Sequence, residues 1–224
     1  MQTRPVSRRP PYTPPQAGPL EQLRLGRLGR RLPQLLAGLV LYGFSMAMMV
    51  RAELGLDPWD TLHQGLSFYV PLSFGVITIV VGATVLLLWI PLRQKPGLGT
   101  LLNVVVVGLA ADAGLALLPA PDDLFLRAAL LVGGVVFNAV AGAMYIGSHL
   151  GPGPRDGLTL GLVSATGRSV RLLRTAVEGT VLLAGWLLGG TVGAGTVLYA
   201  VAIGPLLQLF LPWFAAPITT DESV

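Results

Sequence analysis

Five side chains of this sequence combine a type and a spacing that can do chemistry in apolar surroundings: Asp60, His63, Arg155, Asp156 and Glu178. Asp60 and Asp156 hold the same place in two related phrases, "LGLDPWDTLHQGLS" and "LGPGPRDGLTLGLV", which lie 96 residues apart. In each, Pro58 or Pro154 suits the first position of a helix, and the acid two residues later faces free backbone amides and the positive helix end. An ionised carboxylate inside a bilayer costs at least about 2.5 kcal/mol unless it meets water or a partner. The two acids therefore read either as helix-start devices or as a pair that touches a solute, an ion or a proton.

The other three candidates extend that pathway reading. His63 follows Asp60 by one helical turn and can relay protons. Arg155 can hold an anion together with backbone amides, or stand as a solvated charge. Glu178 can tune a central site, or pair along its helix with Arg171 or Arg174. In the pathway reading Asp60 and Asp156 line the site and Arg155 gates its cytoplasmic side. Gly55, Pro58 and Gly65, with Gly151, Pro154 and Gly161, are the structural marks that the two phrases share. Asp112 is a further acid inside an apolar run, and Asn103 and Asn138 suit hydrogen bonds between helices.

Composition says which elements must carry these groups. Apolar residues make up 53% of the 224 and charged ones 12%, the balance of a polytopic membrane protein. A hydrocarbon core of roughly 30 Å needs about 20 apolar residues per helical span. Six runs qualify: Pro33–Val50, Leu72–Leu92, Leu98–Leu118, Phe125–Ile146, Leu172–Leu188 and Ala194–Phe214. Pro58–Val70 and Pro154–Ala165 are too short to cross as ordinary helices and hold the two motifs.

The net charge is +4, yet seven of the fifteen basic residues precede the first run, which is a topology signal rather than a nucleic-acid footprint. Arg93, Lys95, Arg155, Arg168, Arg171 and Arg174 follow the same bias, with Arg51 and Arg127 as exceptions. Both termini are thereby expected in the cytoplasm. Residues 1–32, rich in Pro and Arg, read as a disordered tail in which Leu20–Arg31 can form a short basic helix on the membrane surface. Residues 33–118 form a first membrane repeat, 119–129 a linker, 130–214 a second repeat and 215–224 a C-terminal tail.

Superposed without a gap, the repeats match beyond the roughly one identity in ten that such a composition produces by chance. Glycine and polar positions recur: Ser73 with Ser169, Gly97 and Thr100 with Gly193 and Thr196, and Gly108 with Gly204. Three spans per copy is an odd number, so the second copy is expected upside down relative to the first, as in many transporters. The expected fold is all-α, with about six transmembrane helices in two inverted triplets, each with a short helix that can re-enter the bilayer.

The phrases "LGLDPWDTLHQGLS", "GPGPRDGLTLGL", "TGRSVRLLRTAVEG" and "LLGGTVGAGTVLYAVAIGPLLQ" resemble the YczE/YitT-like family of bacterial integral membrane proteins. The resemblance implies a multi-span protein of the bacterial inner membrane and brings neither a substrate nor catalytic residues.

No cysteine is present, which excludes disulfides and thiolate chemistry. No Ser/His/Asp set, metal-ligand spacing or phosphate loop occurs, so no enzyme, metal or cofactor is expected. The partners expected are the bilayer and a small solute or ion, without nucleic acid. Two functions stay open: a small-solute transporter or channel-like permease, and a non-transporting scaffold or regulator that acts on a membrane-protein partner or as a homo-oligomer.

Overall fold

The computed structural model describes residues 28–215, and these form eight α-helices without a strand. They are α1 (Leu28–Ala52), α2 (Pro58–Ser67), α3 (Phe74–Trp89), α4 (Leu98–Leu117), α5 (Leu124–Gly147), α6 (Pro154–Thr166), α7 (Val170–Leu187) and α8 (Ala194–Phe214). Most of the expected N-terminal tail and all but the first residue of the C-terminal tail lie outside the described residues. α1 begins within the stretch expected as tail.

Local chemistry sets the helix starts. Asp57, Ser73, Asp123 and Ser169 each accept a hydrogen bond from a backbone amide of the first turn of α2, α3, α5 and α7. α4 and α8 begin instead after Gly97 and Gly193, whose amides donate to Thr100 Oγ1 and Thr196 Oγ1 at 3.1 and 3.2 Å.

α1, α4, α5 and α8 are long and apolar enough to cross a membrane. α3 is apolar but has 16 residues, about 24 Å of helix. α7 has 18 residues and carries Arg171, Arg174 and Glu178. Large apolar side chains such as Leu87, Ile90, Phe125 and Val201 are exposed around the outside. Outward apolar surface of this kind suits a hydrocarbon solvent, where folding has no reason to hide it.

The second half reproduces the first: helix starts at 28, 58, 74 and 98 recur at 124, 154, 170 and 194, each 96 residues on. Contacts recur too, exchanged between the halves. Arg31 donates to the carbonyls of Ser148 and His149 at the end of α5, at 2.8 and 2.9 Å. Arg127 donates to those of Ala52 and Glu53 at the end of α1, at 2.7 and 2.8 Å. α1 and α5 therefore run antiparallel, each closed by the other's arginine. Likewise Gly99 N donates to Leu150 O and Gly195 N to Leu54 O, both at 2.7 Å.

These docked turns explain one pair of shared glycines. Gly55 and Gly151 have φ of 115° and 121°, a region that side chains disfavour. A Cβ on Gly55 would also stand 2.6 Å from Gly193 N. Gly65 permits a close approach of α2 to α7, since a Cβ there would lie 2.7 Å from Gly185 O.

The halves differ most at one seam. In the first, Asp112 of α4 accepts from Ser73 Oγ and from Gly75 N at the start of α3, and a Cβ on Gly108 would overlap the Gly75 carbonyl. In the second, α7 and α8 barely touch, and a Cβ on Gly179 or Gly204 would meet nothing within 4 Å. The only buried residues of these two helices are Gly185, Gly195 and Thr196, at the ends joined by their short loop. From Val170 to Thr180 no residue of α7 is buried.

Candidate functional site

A cavity of about 500 Å³ lies between the halves. Its wall takes residues from both members of several position pairs 96 apart: Tyr42 and Asn138, Pro58 and Pro154, Trp59 and Arg155, Thr78 and Arg174, Gly82 and Glu178, Asn103 and Tyr199. The floor is where the first turns of α2 and α6 meet, and α7 and α8 flank the gap described above.

Arg155 is the centre of its electrostatics. The guanidinium stands 3.4 Å from Asp57 Oδ2 and 3.6 Å from Asp60 Oδ1, and covers the Trp59 ring at 5.3 Å from its centroid. Trp59 Nε1 in turn donates to Glu178 Oε1 at 3.3 Å. A cation over an indole face is attracted by the ring quadrupole, more strongly where water is excluded.

Beside this cluster, Tyr145 Oη donates to Asp156 Oδ2 at 2.6 Å. Tyr199 Oη donates to Asn138 Oδ1 at 3.0 Å, and Asn138 Nδ2 to Ser45 Oγ at 3.0 Å. The Tyr42 ring meets that of Tyr145 edge-on, and Trp89 Nε1 ties down Pro154 O at 3.1 Å.

Four of the five sequence candidates thus reach one cavity wall: His63, Arg155, Asp156 and Glu178. Asp60 does not. It is fully buried behind the wall, with His63 Nδ1 at 3.3 Å and neither carboxylate oxygen in a hydrogen bond. Its place as a lining residue passes to Asp57, which both caps α2 and faces the cavity.

Other expectations change as well. Arg155 is not a solvated charge, because two buried carboxylates hold it at the cavity floor. Glu178 meets Trp59 rather than Arg171 or Arg174, because α7 turns that face toward α2. Arg127, an exception to the charge bias, is the counterpart of Arg31 as a helix-end clamp. Trp59 is buried, 4% exposed.

Tyr42, Tyr145 and Tyr199 were not singled out in the sequence. A usable signal existed for two of them: at 42/138 and at 103/199 both repeat positions are polar although the residues differ. Among the described residues no three His, Asp or Glu side chains gather as metal ligands.

A family of unknown function, DUF6198, matches residues 29–212. The chain belongs to this family. It is 38% identical over 177 residues to an uncharacterized protein of Haemophilus influenzae, covering 79% of this chain and 81% of that one. It is 33% identical over 178 residues to the uncharacterized membrane protein YczE of Bacillus subtilis, covering 79% and 83%. The YyaS protein of the same bacterium is 27% identical over 181 residues, 78% of this chain and 89% of its own length. No solved structure matches. The apolar helices and the YczE likeness identify this family member as an integral membrane protein.

Proposed function

We propose that the protein is a small-solute transporter of the bacterial inner membrane, built from two inverted three-span repeats. α1, α3 and α4 cross in the first repeat and α5, α7 and α8 in the second, with both termini in the cytoplasm. α2 and α6 are the short helices that bring their N-terminal turns to the middle of the membrane from opposite sides. Irregular backbone at such depth is tolerated where it is buried in protein or lines a cavity.

One observation carries the reading: a cavity walled by paired positions of both halves, closed along the α3–α4 seam and loose along its counterpart, α7–α8. Residues related by a two-fold axis touch each other only beside that axis, as Trp59 and Arg155 do. Inverted-repeat transporters place their substrate site there. With the positive residues inside, the loose seam faces the cytoplasm and the tight one the exterior, an inward-open arrangement.

Single cysteines at Thr175 and Ala200, in a chain with none of its own, test it through impermeant thiol reagents applied from each side. Labelling of both from the cytoplasmic side supports a water-filled vestibule. Exclusively external labelling, or none, removes the inward-open reading and favours a scaffold with a dry interior.

A further inference from the structure

Resting on the transporter reading, we infer that the cavity receives a small organic cation rather than an anion or a neutral solute. Among the groups on its wall, three carboxylates, Asp57, Asp156 and Glu178, face two guanidiniums, Arg155 and Arg174. Asp60 behind the wall adds a fourth carboxylate. Arg155 is already committed to Asp57 and Asp60, so an anion would have to compete with two fixed carboxylates for it. Asp156 and Glu178 receive only neutral donors, Tyr145 and Trp59, and among the described residues neither has a cation within 4 Å.

A second observation is independent of this charge count. Arg155 shows what the site is built to hold: a planar organic cation lies over an indole face and against buried carboxylates. The Asp60 carboxylate it faces is fully buried and makes no hydrogen bond, so it is held by charge alone. Tyrosine faces and apolar side chains supply much of the rest of the wall, beside His63, Asn103, Asn138 and two threonines, a lining that accommodates alkyl or aryl substituents on a cationic nitrogen. The substrate cation seats against Asp156 and Glu178, while Arg155 keeps Asp57 and Asp60 neutralised.

The purified full-length protein in lipid nanodiscs is titrated with phenyltrimethylammonium, its uncharged analogue tert-butylbenzene, and benzoate, following the thermal unfolding midpoint. Saturable stabilisation by phenyltrimethylammonium alone is expected. Glu178→Gln and Asp156→Asn should each weaken its binding about tenfold, the loss of one coulombic contact with the quaternary nitrogen. Both variants must retain the wild-type elution profile; Arg174→Gln, which removes a positive charge, should tighten binding and provides a check independent of lost carboxylates.

Stabilisation by benzoate in preference to the cation, indifference to every cation, or cation binding that survives both carboxylate variants overturns the inference. Proteoliposome flux separates the two proposals. Flux of an anion keeps the transporter and removes the cation; cation binding without flux keeps the cation site and removes transport.

Discussion

Ser73, Gly75, Gly108 and Asp112 knit α3 to α4, whereas Ser169, Arg171, Gly204 and Gln208, the residues 96 positions later, leave α7 standing off α8. Helix starts, the Ser73/Ser169 and Gly97/Gly193 caps and the crossed hydrogen bonds repeat between the halves, although Asp57 caps α2 and Gly153 offers α6 no side chain. The difference is greatest at this seam, and on the transporter proposal it marks a choice between two packings. If the halves exchange conformations, Gln208 comes to Ser169 and the start of α7, as Asp112 now does for α3, while the outer seam loosens. Such a bistable element is what a solute must bias for alternating access.

The largest effect expected is from tying the tight seam shut. A Ser73→Cys, Asp112→Cys protein should form its disulfide readily and, once oxidised, lose nearly all flux; reduction should restore it. Ser169→Cys, Gln208→Cys should cross-link slowly at rest and faster once substrate is present. Equal cross-linking rates for the two pairs would erase the asymmetry between the seams.

Glycine substitutions sharpen the comparison. Gly108→Ala forces a methyl group onto the Gly75 carbonyl and should cost about 1–3 kcal/mol, seen as a lower unfolding midpoint. Gly204→Ala enters open space and should leave the midpoint within about 0.5 kcal/mol of wild type. On the transporter proposal it should nonetheless slow flux, because the seam it blocks is the one that would close.

Caps give a smaller contrast of the same sign. Asp112→Ala removes the acceptor for Ser73 and Gly75 and should cost about 0.5–2 kcal/mol, whereas Gln208→Ala should cost almost nothing. At the other extreme, Arg31→Ala and Arg127→Ala should destabilise by similar amounts, on the order of 1.5–3 kcal/mol, since each removes two charge-assisted bonds to carbonyls. A clear difference between them would mean that the halves are less alike at their ends than the crossed bonds indicate.

Much of the fold was legible because its determinants are local. Asp57-Pro58 and Gly153-Pro154 announce the short helices, Ser73 and Ser169 the helices that follow, and the apolar runs have about the lengths observed. The contents of the site were less legible. That Arg155 would reach Asp57, 98 residues away, depends on where α2 and α6 meet, which no spacing within either segment reveals. Asp60 stands out by its type and repeat position, yet Asp57, three residues earlier at the extended N-cap of α2, is the acid that faces the cavity, while Asp60 inside the first turn is buried behind it. In the sequence Arg31 counts among the topology charges and Arg127 as an exception to them, because the carbonyl partners of both lie on another helix.

The crossed docking of the turns also bears on how the chain is made. Leu54 O accepts from Gly195 N, and Gly99 N donates to Leu150 O, so each half completes its backbone hydrogen bonding with atoms of the other. When the ribosome has finished α4, the amide of Gly99 still lacks its acceptor, and the cradle for Gly55, formed by Gly193 and Thr196, has yet to be synthesised. The first half must therefore wait in the membrane as an unfinished intermediate, held by its helices but open to quality-control proteases. Expressed alone it should be short-lived, and co-expression of the second half as a separate polypeptide should rescue it.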